Sequence, residues 1–341
     1  MRILIIRFSS LGDITMATAL PRVLRKKFPE AKIDFAVAEE FKDIIEWNPY
    51  LNEKIYLSRS KGLTELIRVT KEIRKRNYDI IIDAHRSIRS RFICLFTPFI
   101  KKIYFNKRLI KRSLLIFFKI NFFRKVDPQM VEYIKPLKKI GVEYDGLGTE
   151  IIVPDNIRDN VKKVLSSRIK DFGKRKFIGL VPSAHWPGKR WSADHFQDLV
   201  GLILKELDVD VVVVGGKKDH FCGDIVKSYD RAYSFAGEFG IAGSAAVLSM
   251  CDLVIANDTG MMHVAEAVGV DVIGIMGPTS YEFGCYPYRS GSRVVELNMW
   301  CRPCSKNGKG CCVRHGRRPC LNDITPDMVL DEVLDYWRHN Q

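Results

Sequence analysis

Short apolar runs of strand type recur along this chain, with amphipathic stretches between them, and that alternation admits few folds. Residues 2–7 (RILIIR) are apolar over most of their length, and residues 209–214 (VDVVVV) are nearly so. A strand of that kind has to be covered on both faces, which is the situation of a parallel sheet wrapped by helices. In the first half the pattern predicts strands at 2–7, 32–37, 54–57 and 79–83, with helices at 14–27, 63–76 and 129–140. The second half repeats it, with strands at 176–181, 209–214, 232–235, 253–256 and 270–276 and helices at 193–207, near 221–229, at 242–250 and at 261–268. A last helix opens at Ile324-Thr325-Pro326-Asp327, where Thr325 suits the N-cap and Pro326 the first helical position. A chain of 341 residues exceeds one ordinary α/β core. The expected fold is therefore α/β, with two facing Rossmann-like domains and a central cleft. Their expected spans are 1–150 and 151–325, followed by a terminal helix at 326–341.

The stretch 253–269 (LVIANDTGMMHVAEAVG) reads as strand, turn and helix. Met261, Val264, Ala265 and Val268 fall on one helical stripe expected to face a core, with His263 and Glu266 on the side away from it. A helix that opens directly from a strand end presents unpaired backbone N–H groups and the positive end of its dipole, and phosphates bind in such places. Capping by Asp258 or Thr259, with Gly260 for the turn, is the plainer reading. It leaves the Asn257-Asp258 pair and the histidine unexplained.

Other candidates sit at predicted strand ends, where α/β crevices open. The loop 181–191 (VPSAHWPGKRW) brings Ser183, Lys189 and Arg190 above the sheet; Trp186 could wall that loop, while Trp191 reads as a core residue. A departing diphosphate needs such a cation, because its negative charge grows as the bond breaks. Gly215 and Gly216 end the next strand, with Asp219 shortly after as a possible ribose acceptor. In the first half, Asp13 ends the loop after the first strand. It is read either as the N-cap of the next helix or as a functional carboxylate, and Ser9, Ser10 and Gly12 keep its loop small.

The net charge is +15, and it is concentrated. Residues 84–126 hold twelve Lys or Arg and no Asp or Glu, and 297–322 form a second acid-free window with six cations. Charge of one sign implies an anionic partner. The basic, aromatic tract KKIYFNKRLIKRSLLIFFKINFFRK reads as an interfacial segment for anionic headgroups, or else as a solvated face over a modest core. Arg86, Arg89 and Arg91 are placed to meet acceptor phosphates. No RNA- or DNA-binding module is recognisable, and nucleic acid is not expected as a partner, although a basic nucleic-acid binder is the rival reading from another class. The N-terminus begins a strand without signal-peptide character, and four of nine cysteines stand singly, which together suggest a cytoplasmic setting. Cys301, Cys304, Cys311, Cys312 and Cys320 place five thiols in twenty residues. They are either a structural zinc site, with Cys301, Cys304, Cys311 and Cys320 as ligands, or reduced thiols of a surface loop.

Taken together, SSLGD, YDIIIDAHRSIRS, PSAHWPGKRW, VVVVGGKKD, ANDTGMMH and IMGPT resemble, in order and over most of the chain, glycosyltransferase family 9, which includes the lipopolysaccharide heptosyltransferases. The resemblance implies a GT-B fold whose last helix crosses back to the first domain. It implies an inverting, metal-independent transfer of a heptose from an ADP-sugar to an inner-core lipopolysaccharide or similar anionic glycolipid, with no cofactor required for catalysis and the enzyme peripheral at the inner membrane face. By the same resemblance Asp13 is the general base, with Ser10, Arg86 and Arg89 toward the acceptor. Lys189 and Ser183 hold the diphosphate with the Thr259 and Gly260 amides. Asp258 binds sugar hydroxyls, His263 sits near the donor phosphates, and Gly215, Gly216 and Asp219 lie toward the adenosine. Asp219 stands where the family commonly has Glu, and Phe239-Gly240-Ile241 replaces a more usual Thr-Ser-Leu. Those departures bear on the choice of nucleotide and sugar, leaving another GT-B transferase or a nucleotide-sugar epimerase as rivals. The one Asp-x-Asp, Asp208-Val-Asp210, sits at the wrong end of its strand to serve a diphosphate metal.

Overall fold

The computed structural model describes residues 1–310, 312 and 316–340. They form two compact units: Met1–Lys107 with Asp127–Ile152, and Arg108–Val126 with Val153–Gln341.

The first unit is a parallel sheet of β1 (Arg2–Ile6), β2 (Lys32–Ala38), β3 (Glu53–Leu57), β4 (Ile80–Asp83) and β5 (Lys101–Tyr104), in the order β3-β2-β1-β4-β5. Ile3, Leu4, Ile5 and Ile6 of the central strand are fully buried, as a strand covered on both faces requires. The strand β5 was hidden in the basic tract. As an edge strand it needs only Ile103 buried, and its lysines keep the open edge polar. The helix expected at 14–27 is two helices, Leu11–Ala17 and Ala19–Lys27. Pro21 has no N–H to offer the Ala17 carbonyl, so the helical ladder breaks there. Pro136 acts similarly at 129–140, where the α-helix Gln129–Ile134 passes into the 3-10 turn Lys135–Ile140. Buried Arg22 ties this end of the unit together through Asp145 at 2.7 Å, Glu150 at 2.5 Å and the Gly148 carbonyl at 2.7 Å.

The second unit carries β6 (Lys176–Val181), β7 (Val209–Val213), β8 (Ala232–Ser234), β9 (Leu253–Asn257), β10 (Val272–Met276) and β11 (Arg293–Glu296). All are parallel, in the order β11-β10-β9-β6-β7-β8. Asp210, at the N-terminal end of β7, is buried near Arg175, and Asp208 pairs with Arg175 and Arg231.

The last helix, Pro326–His339, packs on the core of the second unit. Its Val329, Leu330, Val333, Tyr336 and Trp337 stripe meets Phe196, Leu199, Val200 and Ile203 of the helix Ala193–Glu206, while Arg293 pairs with Glu332 and Asp335. Thr325 caps it by accepting from the Met328 N–H, as its sequence predicted. The segment Arg108–Val126 lay inside the expected first domain and instead groups with the second unit. Among the described residues no helix is long and apolar enough to cross a membrane.

If the final helix completes the core of its unit, Trp337→Ala should lower stability by about 3–5 kcal/mol. Urea unfolding of the full chain measures this. A loss below about 1 kcal/mol would mean the helix merely rests on a core that is complete without it.

Candidate active site

In the first unit the loops after β1 and β4 meet at the sheet's C-terminal edge, where Arg7 donates to the Ala84 carbonyl at 2.6 Å. Asp13 is the third residue of the helix Leu11–Ala17, with Ser10 as its N-cap, so it does not itself cap the helix. Its carboxylate is held from several sides. Arg7 lies at 2.7 Å from Oδ2, and the Ser10 hydroxyl and amide donate to the same oxygen at 2.9 and 3.3 Å. The Tyr133 hydroxyl donates to Oδ1 at 3.1 Å, and the Arg7 guanidinium lies over the Tyr133 ring. Burial alone would push the Asp13 carboxyl up. Arg7 and these hydrogen bonds outweigh it and hold the acid well below the usual carboxylate range. The side chain nevertheless keeps 36% of its surface exposed, so it remains open to a second molecule.

His85 completes this edge. It stands against Phe8, its buried Nδ1 lacks a partner among the described residues, and burial together with Arg7 pushes its pKa down to about 3. It is therefore a neutral imidazole at physiological pH. Arg86 donates to the Phe105 carbonyl at 3.2 Å and lies over the Tyr104 ring, while Arg89 is exposed near His85. Ser10, Asp13, Arg86 and Arg89 thus belong to one edge. Arg7, Tyr133 and His85 were missed: Arg7 looked like the end of a strand, and Tyr133 lies 120 positions from Asp13.

In the second unit the loops after β6, β9 and β10 converge. Lys189 Nζ lies 2.7 Å from Asp258 Oδ2, and Thr279 Oγ1 donates to the same oxygen at 2.7 Å. Burial pushes the Asp258 carboxyl up, but Lys189 outweighs it and the acid ends below its ordinary value. Asn257 fastens the β6 loop, donating to the Pro182 carbonyl at 2.7 Å and accepting from the Trp191 N–H at 3.1 Å. Trp191 is core, as its position suggested. With Asp258 engaged elsewhere, Thr259 takes the N-cap position of the helix Gly260–Ala267 without a side-chain capping bond. Ser183 Oγ is buried at the end of β6, beside the Cys222 thiol.

The helix Gly260–Ala267 corrects one expectation. His263 and Glu266 do not face away from packing: both are buried, because the chain after β10 covers that side. Glu266 Oε1 accepts from the amides of Tyr288 and Arg289 at 2.6 and 3.0 Å. His263 lies beneath the site, electrostatically coupled to Asp258. Gly215 packs against Cys222, and Asp219 closes its own loop by accepting from the Gly216 N–H at 2.8 Å. Those three stand at the end of β7.

The C-terminal cysteine loop also reaches this edge, which the sequence did not signal. A Cβ on Gly188 would collide with the Gly308 carbonyl oxygen, and Arg302 donates to the Thr279 carbonyl at 3.1 Å. Cys301, Cys304, Cys312 and Cys320 influence one another electrostatically, and burial pushes the Cys320 thiol up to about 11. Cys311, one of the four zinc ligands considered, lies outside the described residues. Among those described, no group of three or more His, Cys, Asp or Glu could hold a metal ion.

Two Rossmann-like units of this strand order, with the candidate side chains gathered at strand C-terminal ends, make the GT-B architecture of glycosyltransferases. The same fold is found in a glycosyl transferase family 9 protein from Veillonella parvula, with a TM-score of 0.81 at 24% identity over 99% of this chain and 97% of that one. It is found again in the Escherichia coli ADP-heptose LPS heptosyltransferase II, with a TM-score of 0.76 at 24% identity over 99% of both chains. An E. coli heptosyltransferase solved with ADP gives a TM-score of 0.70 at 17% identity over 98% of this chain and 100% of that one. In sequence, the lipopolysaccharide heptosyltransferase 2 of Salmonella typhimurium is 27% identical over 98% of this chain and 97% of its own length. The model of glycosyltransferase family 9 (heptosyltransferase) matches residues 66–312, and the chain belongs to that family.

The Arg7 contact predicts a titration. A carboxyl held below its unfolded value stabilises the fold above about pH 3.9, and this contribution is lost as pH falls through the folded value. In wild type the Asp13 carboxyl carbon should show no NMR titration between pH 7 and 4. In Arg7→Met, where burial is opposed only by hydrogen bonds, its midpoint should move upward. An ordinary Asp midpoint in wild type would contradict the Arg7 assignment.

Proposed function

We propose that the protein transfers a heptose from an ADP-sugar, with inversion and without a catalytic metal, to an inner-core lipopolysaccharide or similar anionic glycolipid acceptor. The observation that carries this reading is the Lys189–Asp258 pair beside the uncapped start of the helix Gly260–Ala267. A diphosphate offers Lys189 a stronger counter-charge than Asp258 does, and the Thr259 and Gly260 amides lie at the helix end that favours anions. The Ser183 hydroxyl would donate to the phosphates, and Asp258, released from Lys189, would accept from sugar hydroxyls. His263 would support the site from beneath. The heptosyltransferase names of the relatives and the ADP bound to one solved neighbour support the choice of heptose and ADP, and Gly215, Gly216 and Asp219 are proposed toward the adenosine.

In the proposed step the acceptor hydroxyl loses its proton to Asp13 while its oxygen attacks the anomeric carbon. The bond from that carbon to the diphosphate oxygen breaks, and ADP leaves with the electron pair. Lys189 and the helix N-terminus meet the growing charge. A carboxylate paired with Arg7 is a weak base in the resting enzyme. The acceptor hydroxyl becomes far more acidic as its new bond forms, so a weak base suffices for late proton transfer. Ser10, Arg86 and Arg89 are proposed toward the acceptor, Arg89 being the exposed cation of that edge. The enzyme would work at the inner face of the cytoplasmic membrane as a peripheral protein, with no nucleic-acid partner.

Asp13→Asn should slow transfer by about 10²–10⁴-fold, the usual contribution of a placed base, while ADP affinity in calorimetry stays near wild type. Lys189→Ala should weaken ADP binding and slow transfer together, by roughly ten- to a hundredfold for a lost charge-assisted hydrogen bond. EDTA should leave the rate unchanged. Near-full turnover in Asp13→Asn, or activity lost to EDTA and restored by Mg²⁺ or Mn²⁺, would refute the corresponding assignment.

A further inference from the structure

The helix Leu109–Phe118 (LIKRSLLIFF) buries Arg112 beside Leu115 and leaves several of its large apolar side chains exposed. An amphipathic surface helix normally buries its apolar stripe and shows its charges. Here Arg112 is buried, donating to the Phe283 carbonyl at 3.3 Å and lying over the Phe283 ring, and Arg108 reaches the same carbonyl at 3.4 Å. Beyond the helix, Lys119 Nζ donates to the carbonyls of Cys301 and Pro303 at 2.9 and 2.7 Å, and Asn121 donates to Glu282 at 2.8 Å. Polar groups therefore pin the segment to the second unit. Six large apolar side chains are left outward: Ile110 is 77% exposed, Phe117 75% and Phe118 68%, and Leu109, Ile120 and Phe122 are each about half exposed or more.

Single exposed apolar residues need no explanation, but a cluster of this size on one short segment does. The surrounding charge identifies what covers it. Arg108–Val126 carries six Lys or Arg and no Asp or Glu, with Lys111, Arg124 and Lys125 exposed. Two copies of the chain meeting through this segment would bring like charges together, and interface cores are depleted of charge. Apolar side chains among cations alone match the boundary between acyl chains and anionic headgroups.

We propose that the segment Arg108–Val126 is a bilayer-docking surface in which Ile110, Phe117 and Phe118 enter the headgroup–acyl boundary of an anionic lipid membrane. Because the segment is fastened to the chain around Phe283, Cys301 and Pro303, the membrane contact belongs to the unit that carries Lys189 and Asp258. The inference rests on the proposed reaction only for the reason a lipid surface is nearby.

The test is co-sedimentation of the full chain with phosphatidylcholine vesicles, with and without an equal part of phosphatidylglycerol. Binding should require phosphatidylglycerol and weaken with salt, since surface charges are screened over about 10 Å at 0.1 M. The combined variant Ile110→Ser, Phe117→Ser, Phe118→Ser should lose at least about tenfold in vesicle affinity. Leucine at the same three positions should retain binding, and the serine variant should match wild type in ADP affinity and in transfer to a short soluble acceptor. Failure of wild type to bind phosphatidylglycerol vesicles, or equal binding by the serine variant, overturns the proposal. So does a wild-type dimer in sedimentation velocity that the serine variant disperses, because a second copy would then be the occupant. Absence of soluble transfer in wild type would count against the reaction instead, leaving the vesicle result to stand.

Discussion

A parallel sheet ends all its strands on the same edge, and that constraint organises everything functional in this molecule. Each strand must return through a crossover, so every loop that follows a strand opens above the same rim. In the first unit this brings the chain after β1 beside the chain after β4, and the Arg7–Ala84 contact fastens one to the other. In the second it brings the β6, β9 and β10 loops together, so that residues 189, 258 and 279 share one oxygen atom. No short-range sequence preference could gather these groups. The apolar strands do it by requiring cover on both faces.

Each rim holds a carboxylate against a cation, and the two pairs solve different problems. Desolvation offsets much of the attraction in a buried pair, so neither is a strong source of stability. Their consequence is position and charge state. Arg7, Ser10 and Tyr133 keep Asp13 ionised and oriented while a third of its side chain stays open. Lys189 and Asp258 are more enclosed, and the lysine holds the Asp258 carboxyl below its ordinary value. Beside that pair, the N-cap position of the helix Gly260–Ala267 lacks the side-chain oxygen that usually satisfies the first amides.

Much of this was legible in the residues, in proportion to how local the cause was. Strands such as VDVVVV and the turn Asn257–Gly260 declare themselves through apolar runs and turn chemistry, and the Thr325 cap through its own sequence. The misreadings all depend on partners distant in the chain. Helical spacing correctly grouped Val264 with Ala265, but it could not show that the chain after β10 would cover His263 and Glu266 as well. The segment Arg108–Val126 has the composition of a loop in the first domain, yet its cations find carbonyl partners around Phe283 and Pro303 in the second unit. Tyr133 looked like an ordinary helix residue until the fold set its hydroxyl on Asp13.

The central claim of the proposed reaction is a single displacement at the sugar carbon. The most direct measurement is the anomeric configuration of the product formed from ADP-heptose of known configuration, read from the one-bond carbon–proton coupling at the new linkage by NMR. The account predicts one product whose anomeric configuration is opposite to that of the donor. A product that retains the donor's configuration would require two displacements or a front-face attack, and would contradict the role given to Asp13.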